Sequence, residues 1–150
     1  MHSPRLAGLI RLLGMALITM ACSCKPTGTI EQSPDDLKAR DQLVEMAKSA
    51  TEIELGMYVG KQYVVGVLGY DERSKLFDWL RQIERVDLRT KRMELGAISI
   101  TTSSDKVGWY VLTGFKDDCY LNVPGSGHWR GSDVKTLVDL AKIAGKPTAN

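Results

Sequence analysis

Cys119 and His128 are the residues of this chain whose types could support covalent chemistry, with Asp117 and Asp118 nearby as carboxylates to orient a base. A thiol within hydrogen-bond reach of an imidazole can give up its proton and act as a nucleophile. Position argues against that use. Cys119 falls in a run read as a strand, Asp118 to Val123, and His128 follows Pro124-Gly125-Ser126-Gly127 in a stretch read as a loop. The preferred reading is a buried Cys119 serving as a small apolar residue and an exposed His128, with no catalytic set assigned.

The same stretch, Gly125 to Gly131, carries enough glycine to suggest a phosphate-binding turn between a strand and a helix. A dinucleotide fold needs a βαβ unit with an acidic residue about 20 positions on, and no further strand is read before Asn150. A Gly-Lys-Ser/Thr run is also lacking, so a plain turn is the better reading. One histidine beyond the first residues and no Cys-x-x-Cys give no metal centre, and no cofactor is expected. Glu52 and Glu54 share a strand face, but alternation turns that face to solvent, where carboxylates belong.

Binding is the chemistry left. Trp109, Tyr110, Phe115, Tyr120 and Trp129 cluster toward the C-terminal half, and aromatic residues with arginine are the types that anchor partners. Phe115, His128, Trp129 and Arg130 are the candidate contact residues, because they fall in predicted loops.

The elements that must position these residues follow from pattern. Ser33 offers a helix cap, Pro34 suits the first helical position, and Asp35 and Asp36 complement the helix dipole. The helix runs to about Ser49 with a thin apolar face of Leu37, Leu43, Val44 and Ala47. From Ile53 the period becomes two, through Leu55, Met57 and Val59. Gly60-Lys61 then makes a two-residue turn into a second, more apolar strand to Leu68. A helix from Asp71 to about Glu84 buries Leu76, Phe77, Leu80 and Ile83. Arg85 to Arg92 reads as a basic, solvated linker whose charge is offset by Glu84, Asp87 and Glu94. Strands over 93–102, 107–113 and 118–123 make a meander, and Ser132 caps a last helix that Gly145 and Pro147 stop. The expected class is α+β, an antiparallel sheet of about five strands with helices packed on one face, in the order α-ββ-α-βββ-α.

The start of the chain bears on destination. Behind Arg5 and Arg11, Leu12 to Ala21 carries no charge and ends in a small residue. This is a secretory signal core, short of the about 20 apolar residues that span a bilayer. Thr19-Met20-Ala21-Cys22 resembles the lipobox of bacterial lipoproteins, in which a small residue precedes a cysteine that is lipidated after cleavage. The resemblance covers the leader alone. It implies that residues 1–21 are removed, that Cys22 carries lipid, and that the protein is membrane-anchored in the cell envelope. Acyl chains at about 0.8 kcal/mol per buried methylene make a multiply acylated anchor stable. An ordinary signal peptidase cutting after Ala21 would give a soluble periplasmic or secreted protein with the same first residue.

With Cys22 lipidated, Cys24 and Cys119 remain as a pair that could form a disulfide. It would close a loop of about a hundred residues and stabilise by about 4 to 5 kcal/mol. Residues 22–33 (SCKPTGTIEQ at their centre) read as a tether, and 34–150 as a single domain of ordinary size.

Removing the leader takes two arginines and no acid, leaving eighteen basic against eighteen acidic residues. A balanced chain gives no reason to expect nucleic acid. The expected function is thus a non-catalytic binding domain on an exported, lipid-anchored protein, with an unknown envelope protein or component as partner. The alternative is a small exported enzyme or thiol protein using Cys119 and His128.

Overall fold

Ser33 begins the fold by closing a capping box: its hydroxyl accepts from the Asp36 amide at 3.1 Å, while the Asp36 carboxylate accepts from the Ser33 amide at 3.2 Å. The computed structural model describes residues 31–145. Their elements are α1 (Pro34–Lys48), β1 (Glu52–Val59), β2 (Gln62–Val67), α2 (Tyr70–Leu80), β3 (Glu84–Val86), β4 (Glu94–Thr101), β5 (Lys106–Thr113), β6 (Cys119–Val123), β7 (Gly127–Gly131) and α3 (Val134–Ala144). The leader, Cys22 and Cys24 lie outside the described residues.

All seven strands join one antiparallel sheet in the order β2-β1-β4-β5-β6-β7-β3. The α+β class with an antiparallel sheet is as expected, and the strand count is higher. β7 takes up Gly127 to Gly131, read from sequence as turn because glycine is dense there. Positive φ at Gly125 and Gly127 does make the turn, and pairing with β6 follows at once. β3 is three residues long, too short to show a period, and its pairing with β7 places it at the sheet's edge. The last helix starts one residue later than expected, with Asp133 rather than Ser132 at its cap and at φ 60.

Cross-strand pairs line one face with apolar side chains: Ile53 opposite Ile100, Leu55 opposite Ile98, Ile98 opposite Trp109, Val111 opposite Leu121, and Leu121 opposite Trp129. All of these are buried. The helices cover this face with Leu43, Val44 and Ala47 of α1, Leu76, Trp79 and Leu80 of α2, and Leu137, Leu140 and Ala141 of α3. Each large side chain so buried stabilises by about 1.5 to 3 kcal/mol.

Polar ties lock the layers together. Arg73 of α2 donates to the carbonyls of Leu68, Ala50 and Thr51 at 3.1, 3.2 and 3.0 Å. It thereby satisfies three main-chain acceptors where α1, β1 and β2 meet. The Trp79 indole donates to the Ser132 carbonyl at 2.8 Å and fixes α2 against the entry to α3. Gln32 docks on the outer side of β3, accepting from the Arg85 amide at 2.6 Å and donating to the Arg85 carbonyl at 3.2 Å. One side-chain amide thus stands in for a further strand at that edge.

Candidate functional site: the helix-free face of the sheet

Alternation puts every second strand residue on the face that no helix covers among the described residues. Register reads off one row across it as Val86, His128, Asn122, Tyr110, Ala97, Gly56 and Val65. A neighbouring row holds Glu84, Arg130, Tyr120, Leu112 and Glu94, and Tyr58 stands opposite Tyr63 beyond the irregularity between Glu94 and Gly96.

The two halves of this face differ. From Val86, at one edge of the sheet, residues 87–93 must return to Glu94 in the middle, and Arg92 lies over the Tyr120 ring at 5.4 Å. That cation–π contact carries the linker across β6 on the helix-free side. Arg130 pairs with Glu84 on the same half. Arg89, the solvated member, pairs with Asp87 at 2.8 Å. Of the linker's basic residues, Arg92 packs on the sheet and Arg89 is neutralised locally by Asp87, while Lys91 is exposed.

Over β2, β1, β4 and β5 the face is open among the described residues. Tyr58, Tyr63, Val65, Val67 and Tyr110 are 44 to 52 % exposed and share it. The Tyr58 and Tyr63 rings meet edge to face at 4.9 Å between centroids. Tyr63 lies over Gly56, where any Cβ would run into its ring, so glycine gives the ring its floor. Burial, then Glu94, Tyr58 and Glu54, hold the Tyr63 phenol above its ordinary titration range. Glu52, Glu54 and Glu94 share this side with Lys106, so the aromatic and valine patch has a predominantly acidic border.

The sequence-based candidates scatter. Phe115 is 70 % exposed at the β5–β6 turn, with Lys116 over its ring. His128 and Arg130 lie on the helix-free side of β7, next to the linker. The assignment of His128, Trp129 and Arg130 to a loop is corrected, since all three are strand residues. The correction is largest for Trp129, which is fully buried among the core residues with the Arg85 guanidinium 5.4 Å above its ring. It cannot touch a partner without unfolding β7. Among the described residues its indole N–H meets no acceptor. Sequence pattern hides the helix-free patch because Tyr58 and Tyr63 flank a turn. The available signal was β2 itself, apolar at successive positions 63–65 where a surface strand should alternate.

Cys119 and His128 do not form a dyad. Cys119 stands opposite Gly131 and points into the core with Leu121, whereas His128 stands opposite Asn122 on the other face. Burial, helped by Asp118 and Asp133, pushes the Cys119 thiol up to about 12, away from thiolate reactivity. Cys119 is a fully buried free thiol, and Cys24, its expected disulfide partner, lies outside the described residues.

The concavities are shallow. A hollow of about 400 Å³ at the end of β3 is bordered by Asp36, Arg85, Asp87 and His128. There Arg85 is engaged by Asp36 at 3.9 Å and by Trp129. Among the described residues no group of three or more His, Cys, Asp or Glu is placed to hold a metal ion. Comparison of the chain with protein-family models, with curated proteins and with solved structures gives no match.

Proposed function

We propose that the chain is an exported cell-envelope protein, anchored by lipid on Cys22, whose domain binds a protein partner through the helix-free face and performs no catalysis. The observation that carries the binding role is the convergence of Tyr58, Tyr63, Val65, Val67 and Tyr110 on one uncovered sheet face. Tyrosines there offer large amphipathic contact area at little cost in side-chain entropy. The acidic border of Glu52, Glu54 and Glu94 favours a partner that carries basic residues around an apolar centre. Export and anchoring rest on the leader: two arginines, an uncharged core and the lipobox-like Thr19 to Cys22. A tether from 22 to 33 would let the domain reach a partner near the membrane surface.

The anchoring reading is tested by the mass of the mature protein's N-terminal peptide. A chain beginning at Cys22 with added acyl mass supports it, and an unmodified Cys22 or an intact leader contradicts it. The binding reading is tested with Tyr58→Glu and Tyr110→Glu in the full chain. Both side chains are exposed, so thermal stability should change little, and partner capture should fall at least about tenfold. Unchanged capture by both variants would remove the face from the account.

A further inference from the structure

The two edges of the sheet are treated in opposite ways. β3 is short, flanked by charge, and covered by the Gln32 amide. Among the described residues β2 carries no charge, proline or bulge to keep the edge from pairing, and the end of α3, at Ala144 and Gly145, packs beside its Val64 and Gly66. Its sequence, Gln62-Tyr63-Val64-Val65-Gly66-Val67, holds no charge and no proline, and reads as an interior strand although it lies outermost.

Main-chain direction can be assigned. The Leu68 amide donates to the Ile53 carbonyl at 2.8 Å, continuing the β1–β2 register. In an antiparallel ladder alternate pairs exchange bonds. Val64 and Gly66 therefore bond inward to β1, and Tyr63, Val65 and Val67 turn their N–H and C=O groups outward. The same three residues present their side chains on the helix-free face.

We propose that two copies of this chain pair β2 to β2, antiparallel, about a two-fold axis through Val65. Val65 then faces Val65 of the second copy, and Tyr63 faces Val67, so every outward N–H and C=O of the three residues gains a partner. On the other face Val64 faces Gly66 of the second copy. Three further features of the chain suit this occupant. An uncharged strand meets its own copy without like-charge repulsion. The register sets Lys61 opposite Gly69 of the second copy, at the head of an α2 whose first turn carries Asp71 and Glu72. α3 lies over β1 and β2. The two α3 helices would thus lie about two strand spacings apart, about 9 to 10 Å, which is a helix-packing distance. The tyrosine and valine patches of the two copies become one continuous surface.

The test uses the full chain, expressed as two differently tagged copies in one cell and recovered by one tag. The wild-type copies are expected to recover each other. Val65→Lys in both copies sets two ammonium groups face to face and should lower co-recovery at least about tenfold, equivalent to about 1.4 kcal/mol. Val65→Lys in one copy with Val65→Glu in the other should restore it, which excludes misfolding as the cause of the loss. A second variant reads the register. Val65→Cys alone should give a disulfide-linked pair above the wild-type background, whereas Val67→Cys should do so only with Tyr63→Cys in the other copy. Failure of the wild-type copies to co-purify, or co-purification undiminished by Val65→Lys, would overturn the proposal.

Discussion

Cys119 shows how face assignment decides chemistry at the scale of a residue. Asp117 and Asp118 precede it in sequence, yet alternation along β6 turns its sulfur toward the helices, away from His128, as the reading of a buried apolar cysteine expects. Native protein should accordingly resist thiol alkylation near neutral pH and react in proportion to the unfolded fraction as denaturant is added. Rapid alkylation without denaturant would contradict the assigned burial. The thiol rises from an ordinary 9.0 to about 12 in the fold, so the unfolded chain loses this proton first. Stability is thus unaffected by this group below about pH 9 and falls as pH rises from there toward 12. Gly56 gives a second residue-scale test. Gly56→Ala should displace the Tyr63 ring from β1, and with it the shared burial that raises the phenol, so Tyr63 should titrate at lower pH in the variant. Ultraviolet titration against a Tyr63→Phe control reads the shift. An unchanged Tyr63 titration would show that its ring does not depend on Gly56.

Among the elements, those with a sustained period or explicit end chemistry were legible in the chain, and those without were missed. α1 was fixed at its start by Ser33, Pro34 and Asp36, and β1 by the alternation of Ile53, Leu55 and Met57. α3 ended at its glycine. β3 and β7 failed for different reasons: Glu84 to Val86 is too short for a pattern, and Gly127 to Gly131 hides an alternation of His128, Trp129 and Arg130 behind flanking glycines. Reading β7 as a loop exposes Trp129, whereas its place in the strand turns it into the core. The β3 edge offers a check on this corrected topology. Gln32→Ala removes both bonds to Arg85, so hydrogen exchange at the Arg85 amide should accelerate while exchange at Leu121 in β6 stays unchanged. Equal acceleration at both would mean that Gln32 supports the whole domain and does more than close one edge. At the other end of the same segment, Ser33→Ala should cost about 1 kcal/mol by removing the cap, readable in denaturant melts.

For the whole molecule, the architecture divides labour between two faces. One buries the core under three helices. The other is crossed by residues 87–93 on its β6–β7 half and, among the described residues, left open where Tyr58, Tyr63, Val65, Val67 and Tyr110 meet. Composition alone showed a nearly charge-balanced chain, but which apolar residues remain outside depends on strand order, and strand order is set by pairings distant in sequence. The binding role of the open face is tested most directly by placing a photo-reactive amino acid at Tyr110 in the full chain, with Lys38 on the exposed side of α1 as the comparison, and irradiating intact cells. A discrete cross-linked species from position 110 and none from position 38 is the predicted result. No species from position 110, or the same species from both positions, would contradict it.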